Sequence, residues 1–207
     1  GKLREAGGII HTMPLDVRDP DAVKATMARV AEEHGRIDLL VNNAAGNFYV
    51  PSEQMSPNAW RSVLDIDLSG TFFCTQAVFP IMQRAGGGNV VNISMTLHYR
   101  GWPRRAHATA AKAGIDALTR TLAVEWARFG IRTVALAAGQ FATETLLTKY
   151  PQVVVDNLER SIPIGRAGRP EEMAWLVAYL ASPAGDFYSG TTITIDGARD
   201  NWAGPWP

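Results

Sequence analysis

Short apolar runs alternate with longer segments of helical period along almost the whole chain, and that alternation leaves few architectures open. Runs of six to eight residues rich in Val, Ile, Leu and Ala predict strands at Gly8–Leu15, Ile37–Asn42, Asn89–Ser94, Ile131–Ala137 and Thr191–Asp196. Between them, helices are predicted at Asp21–His34, Pro57–Arg84, Ala106–Phe129 and Glu171–Ala181. Strand–helix–strand repetition places successive strands parallel, and the crossing helices then cover both faces of the sheet. The expected fold class is therefore α/β, a doubly wound parallel sheet.

Local signals support these boundaries. Ser56 before Pro57 is a helix start, with a hydroxyl to cap free N–H groups and a proline at the first helical position. Phe129-Gly130 is a helix end, because glycine accepts the left-handed conformation there. Within the long segment before it, Ile115, Leu118, Leu122 and Trp126 form one buried stripe. Gly86-Gly-Gly88 precedes a strand, not a helix, so it reads as a turn and not as a phosphate cradle.

Composition excludes more than it identifies. The 207 residues suit one domain with a single core, and 46% hydrophobic content is ordinary for a globular protein. Twenty basic residues balance twenty acidic ones, which gives no electrostatic case for nucleic acid or an anionic membrane. No apolar run approaches the ~18 residues that span a bilayer. The single cysteine, Cys74, lies on an apolar helix face, is read as a buried structural thiol and suits a reducing compartment. The expectation is a soluble cytoplasmic protein, with no residue assigned to a metal.

Five segments, in order, carry a resemblance to a known family. They are Leu15-Asp16-Val17, Val41-Asn42-Asn43-Ala44-Ala45-Gly46, the helix around Lys112, Ile131-Arg-Thr-Val-Ala-Leu-Ala-Ala-Gly139 and Ser189-Gly-Thr-Thr-Ile-Thr-Ile-Asp-Gly197. Together they resemble the short-chain dehydrogenases/reductases, which implies a Rossmann-like fold binding a nicotinamide dinucleotide. The resemblance implies cofactor contacts at Asp16, Val17, Asn42, Ala44, Gly46, Lys112, Gly139 and Thr143. It also implies self-association, as a homotetramer, through the helices Pro57–Arg84 and Ala106–Phe129. A dinucleotide-binding fold opens on a strand, a Gly-rich turn and a helix, whereas Gly1-Lys-Leu-Arg-Glu-Ala-Gly7 reads as a helix end. The chain is thus expected to be one domain, residues 1–207, without its first two strands and helix, on the order of 50 residues. The determinants of NAD or NADP choice would lie in that opening.

The family's working set is serine, tyrosine, lysine and an asparagine on the preceding helix. Aligned on the retained Lys112, the tyrosine position holds Ala108, the serine position Met95 and the asparagine position Asp67. Neither alanine nor methionine can transfer a proton through its side chain. Asp16-Val-Arg18, Ala44-Ala-Gly-Asn-Phe48, Asp65-Ile-Asp67 and His107-Ala-x-x-Ala-Lys112 resemble the 2,4-dienoyl-CoA reductases, most of all the peroxisomal type. That resemblance implies hydride transfer from NADPH to the Cδ of a dienoyl thioester, with NAD not excluded. Asp67 then acts through a water as the source of the proton, and Lys112 holds the nicotinamide ribose. Arg18, Phe48, Ser56 and Asn58 would meet the acyl-CoA.

Two other readings stay open at this level. A small carbonyl or alcohol substrate could be served by His98 or Tyr99 as the acid, or the chain could be an inactive oligomeric scaffold. Asp65, two residues from Asp67, should point elsewhere. His107 is rotated ~100° around the helix from Ala108 and is expected to face away from Lys112.

Overall fold

A computed structural model describes residues 7–149 and 157–201. Four parallel strands form one sheet in sequential order: β1 (Leu39–Asn42), β2 (Gly88–Met95), β3 (Ile131–Ala138) and β4 (Thr192–Ile195). Register runs Leu39 opposite Asn89, Gly88 opposite Ile131 and Ala135 opposite Thr192. All strand carboxyl ends therefore open on one edge, where Asn42, Met95, Ala138 and Ile195 finish.

The strand expected at Gly8–Leu15 is not formed. Strand structure requires a partner for its backbone N–H and C=O groups, and this segment has no ladder among the described residues. Ile9, part of its apolar pattern, is 88% exposed. The chain then turns at Asp16 into α1 (Pro20–His34). Asp19 caps that helix by accepting from the N–H groups of Asp21 and Ala22, each at 3.0 Å.

The predicted helix Pro57–Arg84 is two helices with a wider turn between them: α2 (Pro57–Leu64), a π-turn (Asp65–Ser69) and α3 (Gly70–Arg84). Ser56 caps α2, its hydroxyl accepting from Ala59 N–H at 3.1 Å. Such π-turns insert a residue into the i→i−4 ladder and re-aim the helix beyond them. Here the turn leaves Asp65 exposed and Asp67 buried. Gly70 is required just after it, since a Cβ there would lie 2.7 Å from Cγ2 of Val17.

Beyond β2 lie α4 (Leu97–Arg100), α5 (Ala106–Trp126) and a 3-10 turn (Ala127–Phe129) that ends at Gly130. After β3 come α6 (Glu144–Lys149) and α7 (Pro170–Ala181). Strand alternation sorts these helices onto two faces. Val90 and Ile131 face Val78, Met82 and Trp126 of α3 and α5. Val91, Val134 and Leu136 face Leu176, Val177 and Leu180 of α7. The sheet is doubly wound, as the alternation of runs required.

A polar seam crosses the first of these faces. Asn42 Nδ2 donates to Thr75 Oγ1 and to Asn92 Oδ1, both at 2.8 Å, and Asn92 Nδ2 donates to Thr119 Oγ1 at 2.9 Å. Thr75 donates to Thr71 O at 2.7 Å, and Thr71 donates to Asp67 O at 2.6 Å. The seam ties β1, β2 and α5 to the turn that carries Asp67. Buried polar groups of this kind are costly when one partner is lost. Asn92→Ala should lower the unfolding free energy by about 2–4 kcal/mol, because Asn42 and Thr119 lose their partner; urea denaturation measures this, and a loss under 1 kcal/mol would show the seam to be dispensable.

Candidate active site

At the carboxyl edge of the sheet, where open α/β sheets place their ligands, lies a cavity of about 430 Å³. Its walls include Gly46, Asp67, Met95, Ala108, Lys112 and Gly139. A larger cleft of about 740 Å³ lies between α1 and α3. Its polar lining, including Asp21, Lys24, Glu32 and Arg84, belongs to helix surfaces, and it contains no convergent buried groups. The smaller cavity is the better site on chemical grounds.

Lys112 and Asp67 meet in this cavity. Their Nζ and Oδ2 atoms are 3.5 Å apart, with residue exposures of 3% and 1%. Lys112 Nζ also donates to Ile93 O at 2.9 Å, and Asp67 Oδ1 accepts the N–H of Gly46 at 2.7 Å. Burial pushes the Asp67 carboxyl above the usual carboxylate range, against the pull of Lys112 and of the Gly46 N–H. Burial likewise pushes the Lys112 ammonium below its ordinary value, and Asp67 opposes that shift. The pair is a desolvated charge couple, able to polarise a ligand and to exchange protons more readily than exposed groups of the same type.

Where phenol chemistry would sit, Ala108 presents a methyl. It packs with Val63 in a small apolar cluster that Met95 and Trp102 join. Among the described residues, no side-chain acid or oxyanion donor takes its place at that position. Gly139 keeps the end of β3 close to Asp196, whose Cα would lie 2.6 Å from an added Cβ. The cavity therefore combines a charged floor with close backbone at Gly46 and Gly139 and apolar walls at Ile93, Phe141 and Met173. A nicotinamide ring and its ribose suit such a lining, so the residues fit that end of the expected cofactor.

The structure brings only part of the expected set together. Asp67, Lys112, Gly46, Gly139 and Thr143 line the cavity. Ala44 does not; its neighbours Asn43 and Ala45 do. Asn42 uses both of its amide hydrogens inside the polar seam, so its side chain holds the sheet. The Ser56 hydroxyl caps α2 and lies outside the cavity. Asn58 is an exposed residue of the same first turn and also lies outside it. Val17 packs against Gly70. Asp16 and Arg18 pair with each other through two oxygens, Nε to Oδ1 at 2.9 Å and a terminal nitrogen to Oδ2 at 2.6 Å. That fork lowers the Asp16 pKa to about 2 and engages the Nε and one terminal nitrogen of the guanidinium.

The substitute acids are also displaced from the chemistry. His98 Nε2 lies 2.9 Å from Asp116 Oδ2, and Tyr99 places its hydroxyl 3.4 Å from Thr194 Oγ1; neither lines the cavity. His107 is buried and is not turned to solvent; its ring stands edge-on to Phe48 with centroids 4.5 Å apart, and Asp67 acts on its charge. Ser94, Asn43 and Asn47 also line the cavity; Asn43 and Asn47 lie within segments that carry the family resemblance, though no role was assigned to them. Ser94 stands one residue before the aligned serine position, a signal that a fixed alignment overlooks.

Comparison with known proteins gives a consistent result. The family model described as enoyl-(acyl carrier protein) reductase matches residues 2–198. A probable 2,4-dienoyl-CoA reductase of Bacillus subtilis (strain 168) is 38% identical over 97% of this chain and 80% of its own. The peroxisomal 2,4-dienoyl-CoA reductase of Pongo abelii is 41% identical over 89% of this chain and 64% of its own, so the chain spans under two thirds of that relative. A crystal structure of a short chain dehydrogenase from Bacillus anthracis str. 'Ames Ancestor' aligns with a TM-score of 0.82 and 39% identity, covering 99% of this chain and 84% of the other.

A buried pair is costly to break from one side. Asp67→Asn should lower the unfolding free energy by about 3 kcal/mol or more, and adding Lys112→Met should recover most of that loss. A double-mutant cycle by urea denaturation checks this; simple additivity of the two changes would mean that the pair is not coupled.

Proposed function

The chain belongs to the short-chain dehydrogenase/reductase family, and on that premise we propose that it reduces 2,4-dienoyl or enoyl CoA thioesters with hydride from NADPH. The observation that carries this reading is Ala108, a methyl in place of the phenol, beside the buried Asp67–Lys112 pair. A ketone reductase must protonate the oxygen attached to the carbon that receives hydride, and residue 108, an alanine, carries no acid for that task. In a conjugated thioester the hydride goes to a remote carbon, charge collects on the thioester oxygen, and the proton finally goes to Cα.

When bound, the nicotinamide supplies hydride to Cδ of the diene. Lys112, held by Ile93 O and Asp67, keeps a positive charge at the floor of the cavity. That charge favours the enolate over the neutral thioester. Asp67, held by the Gly46 N–H, polarises a water that delivers the proton to Cα, giving a 3-enoyl thioester. Ala108 and Met95 supply apolar wall for the diene. The 2,4-dienoyl-CoA reductases among the relatives support the same substrate class.

Self-association as a tetramer and a reducing, cytoplasmic setting belong to the same reading. Phe72 on α3 and Val124 on α5 are exposed apolar residues on the two helices expected to meet a second copy. Cys74 is buried, and burial raises its thiol pKa, as suits an unreactive structural thiol. Among the described residues no helix is long and apolar enough to cross a membrane.

The test is spectrophotometric. Full-length protein should oxidise NADPH in the presence of a 2,4-dienoyl-CoA, and Asp67→Ala should lower kcat by about 10²-fold or more. Absence of turnover with the wild-type protein would overturn the substrate class, whereas unchanged turnover in the variant would remove Asp67 from the chemistry.

A further inference from the structure

His107, in the first turn of α5, carries a polar atom that the reaction described above leaves unused. The imidazole has no exposed surface. Its Nδ1 accepts the backbone N–H of Ala108 at 2.7 Å, so Nδ1 carries no proton and the neutral ring holds its hydrogen on Nε2. That Nε2 is buried and has no hydrogen-bond partner among the described residues. A buried donor left unpaired costs about 1–3 kcal/mol, and a bound acceptor removes the cost.

The neighbours of His107 indicate which acceptor that is. The next residue, Ala108, lines the cavity where the family's phenol would otherwise reach the substrate oxygen. Phe48, 39% exposed, lies edge-on against the imidazole and comes directly after the Gly46–Asn47 wall of the same cavity. Burial, with Arg105 acting in the same direction, pushes the His107 pKa below its ordinary value despite Asp67. The ring is therefore neutral near pH 7, and a neutral imidazole donates a hydrogen bond to an oxyanion without giving up its proton.

We propose that the Nε2–H of His107 donates to the carbonyl oxygen of the bound thioester and takes over the oxygen-binding task of the phenol that Ala108 replaces. The inference rests on the thioester-reductase reading. As hydride arrives at Cδ, its electron pair displaces the π electrons of the diene toward the thioester oxygen, and the N–H···O bond strengthens there. His107 keeps its proton throughout. The enolate's double-bond electron pair takes a proton at Cα from the water held by Asp67, and an oxygen lone pair re-forms the carbonyl. A proton drawn through Asp67 from solvent restores that water. A ligand oxygen reaches Nε2 by displacing the edge of Phe48.

Steady-state kinetics of full-length protein with NADPH and a 2,4-dienoyl-CoA test the proposal. His107→Phe, which keeps the ring volume and removes the donor, should lower kcat by about 10²–10³-fold. Its KM should stay within about threefold of the wild type and its NADPH affinity, read by fluorescence, should not change. His107→Gln, which restores an N–H donor, should recover at least about tenfold of the lost rate. Turnover in His107→Phe within about threefold of the wild type would overturn the role of His107 alone. An inactive wild type would instead overturn the substrate class on which it rests. Where His107→Phe does not fold, the imidazole ¹⁵N shifts of the wild type decide: Nε2 protonated, Nδ1 not, and the Nε2 signal moving when a 2,4-dienoyl-CoA is added. A signal that the thioester leaves unmoved would overturn the proposal.

Discussion

Taken out of water, the Asp67 carboxylate and the Lys112 ammonium tolerate burial because they face each other at 3.5 Å and each has a backbone partner. Most of the architecture around them serves that arrangement. The π-turn between α2 and α3 turns Asp67 inward while leaving Asp65 in solvent. The loop after β1 brings the Gly46 N–H to its oxygen, and the end of β2 brings Ile93 O to the ammonium. A turn, a loop, a strand and a helix thus meet at two side chains. Losing either charge would leave the other desolvated and unpaired, which is the expensive way to break an ion pair.

The polar seam from Thr71 through Thr75, Asn42 and Asn92 to Thr119 explains how these elements keep their spacing. Apolar packing is non-directional, so by itself it would let α3 slide along the sheet. A chain of directional hydrogen bonds, each at 2.7–2.9 Å, sets α3 against β1 and β2 and so sets the π-turn against Lys112. Stability and site geometry are in this sense one network. The same seam uses both amide hydrogens of Asn42 to hold the sheet together.

Much of the fold was legible because parallel α/β sheets leave a strong periodic trace. Strand runs around β1 to β4 and the helices α1, α5 and α7 can be read directly from apolar spacing and from caps such as Ser56 and Gly130. Gly8–Leu15 shows where that logic stops. Its pattern is that of a strand, but pattern alone supplies no neighbouring strand, and among the described residues it joins no ladder. Pro57–Arg84 shows the other limit. One extra residue in a helical turn is invisible to a periodicity of 3.6, yet it decides which carboxylate is buried. Ser56 shows its cap role in the structure, its hydroxyl accepting the Ala59 N–H.

For the site, the sequence by itself determined chemistry by subtraction: Ala108 and Met95 remove the groups an alcohol dehydrogenase needs, and Asp67 and Lys112 remain. Which of the remaining polar side chains meet was decided only by tertiary structure. Helical spacing rotates His107 away from Lys112, but it says nothing about the loop packed on that flank. Phe48 covers the imidazole there and Asp67 acts on it, which turned a residue expected to face away into a buried neighbour of the site. Arg18 is paired with Asp16, a contact that spacing alone did not reveal. The physical reason is common to all of these. Residue type and spacing set what a side chain can do, whereas burial and partner choice depend on contacts between segments far apart in the chain.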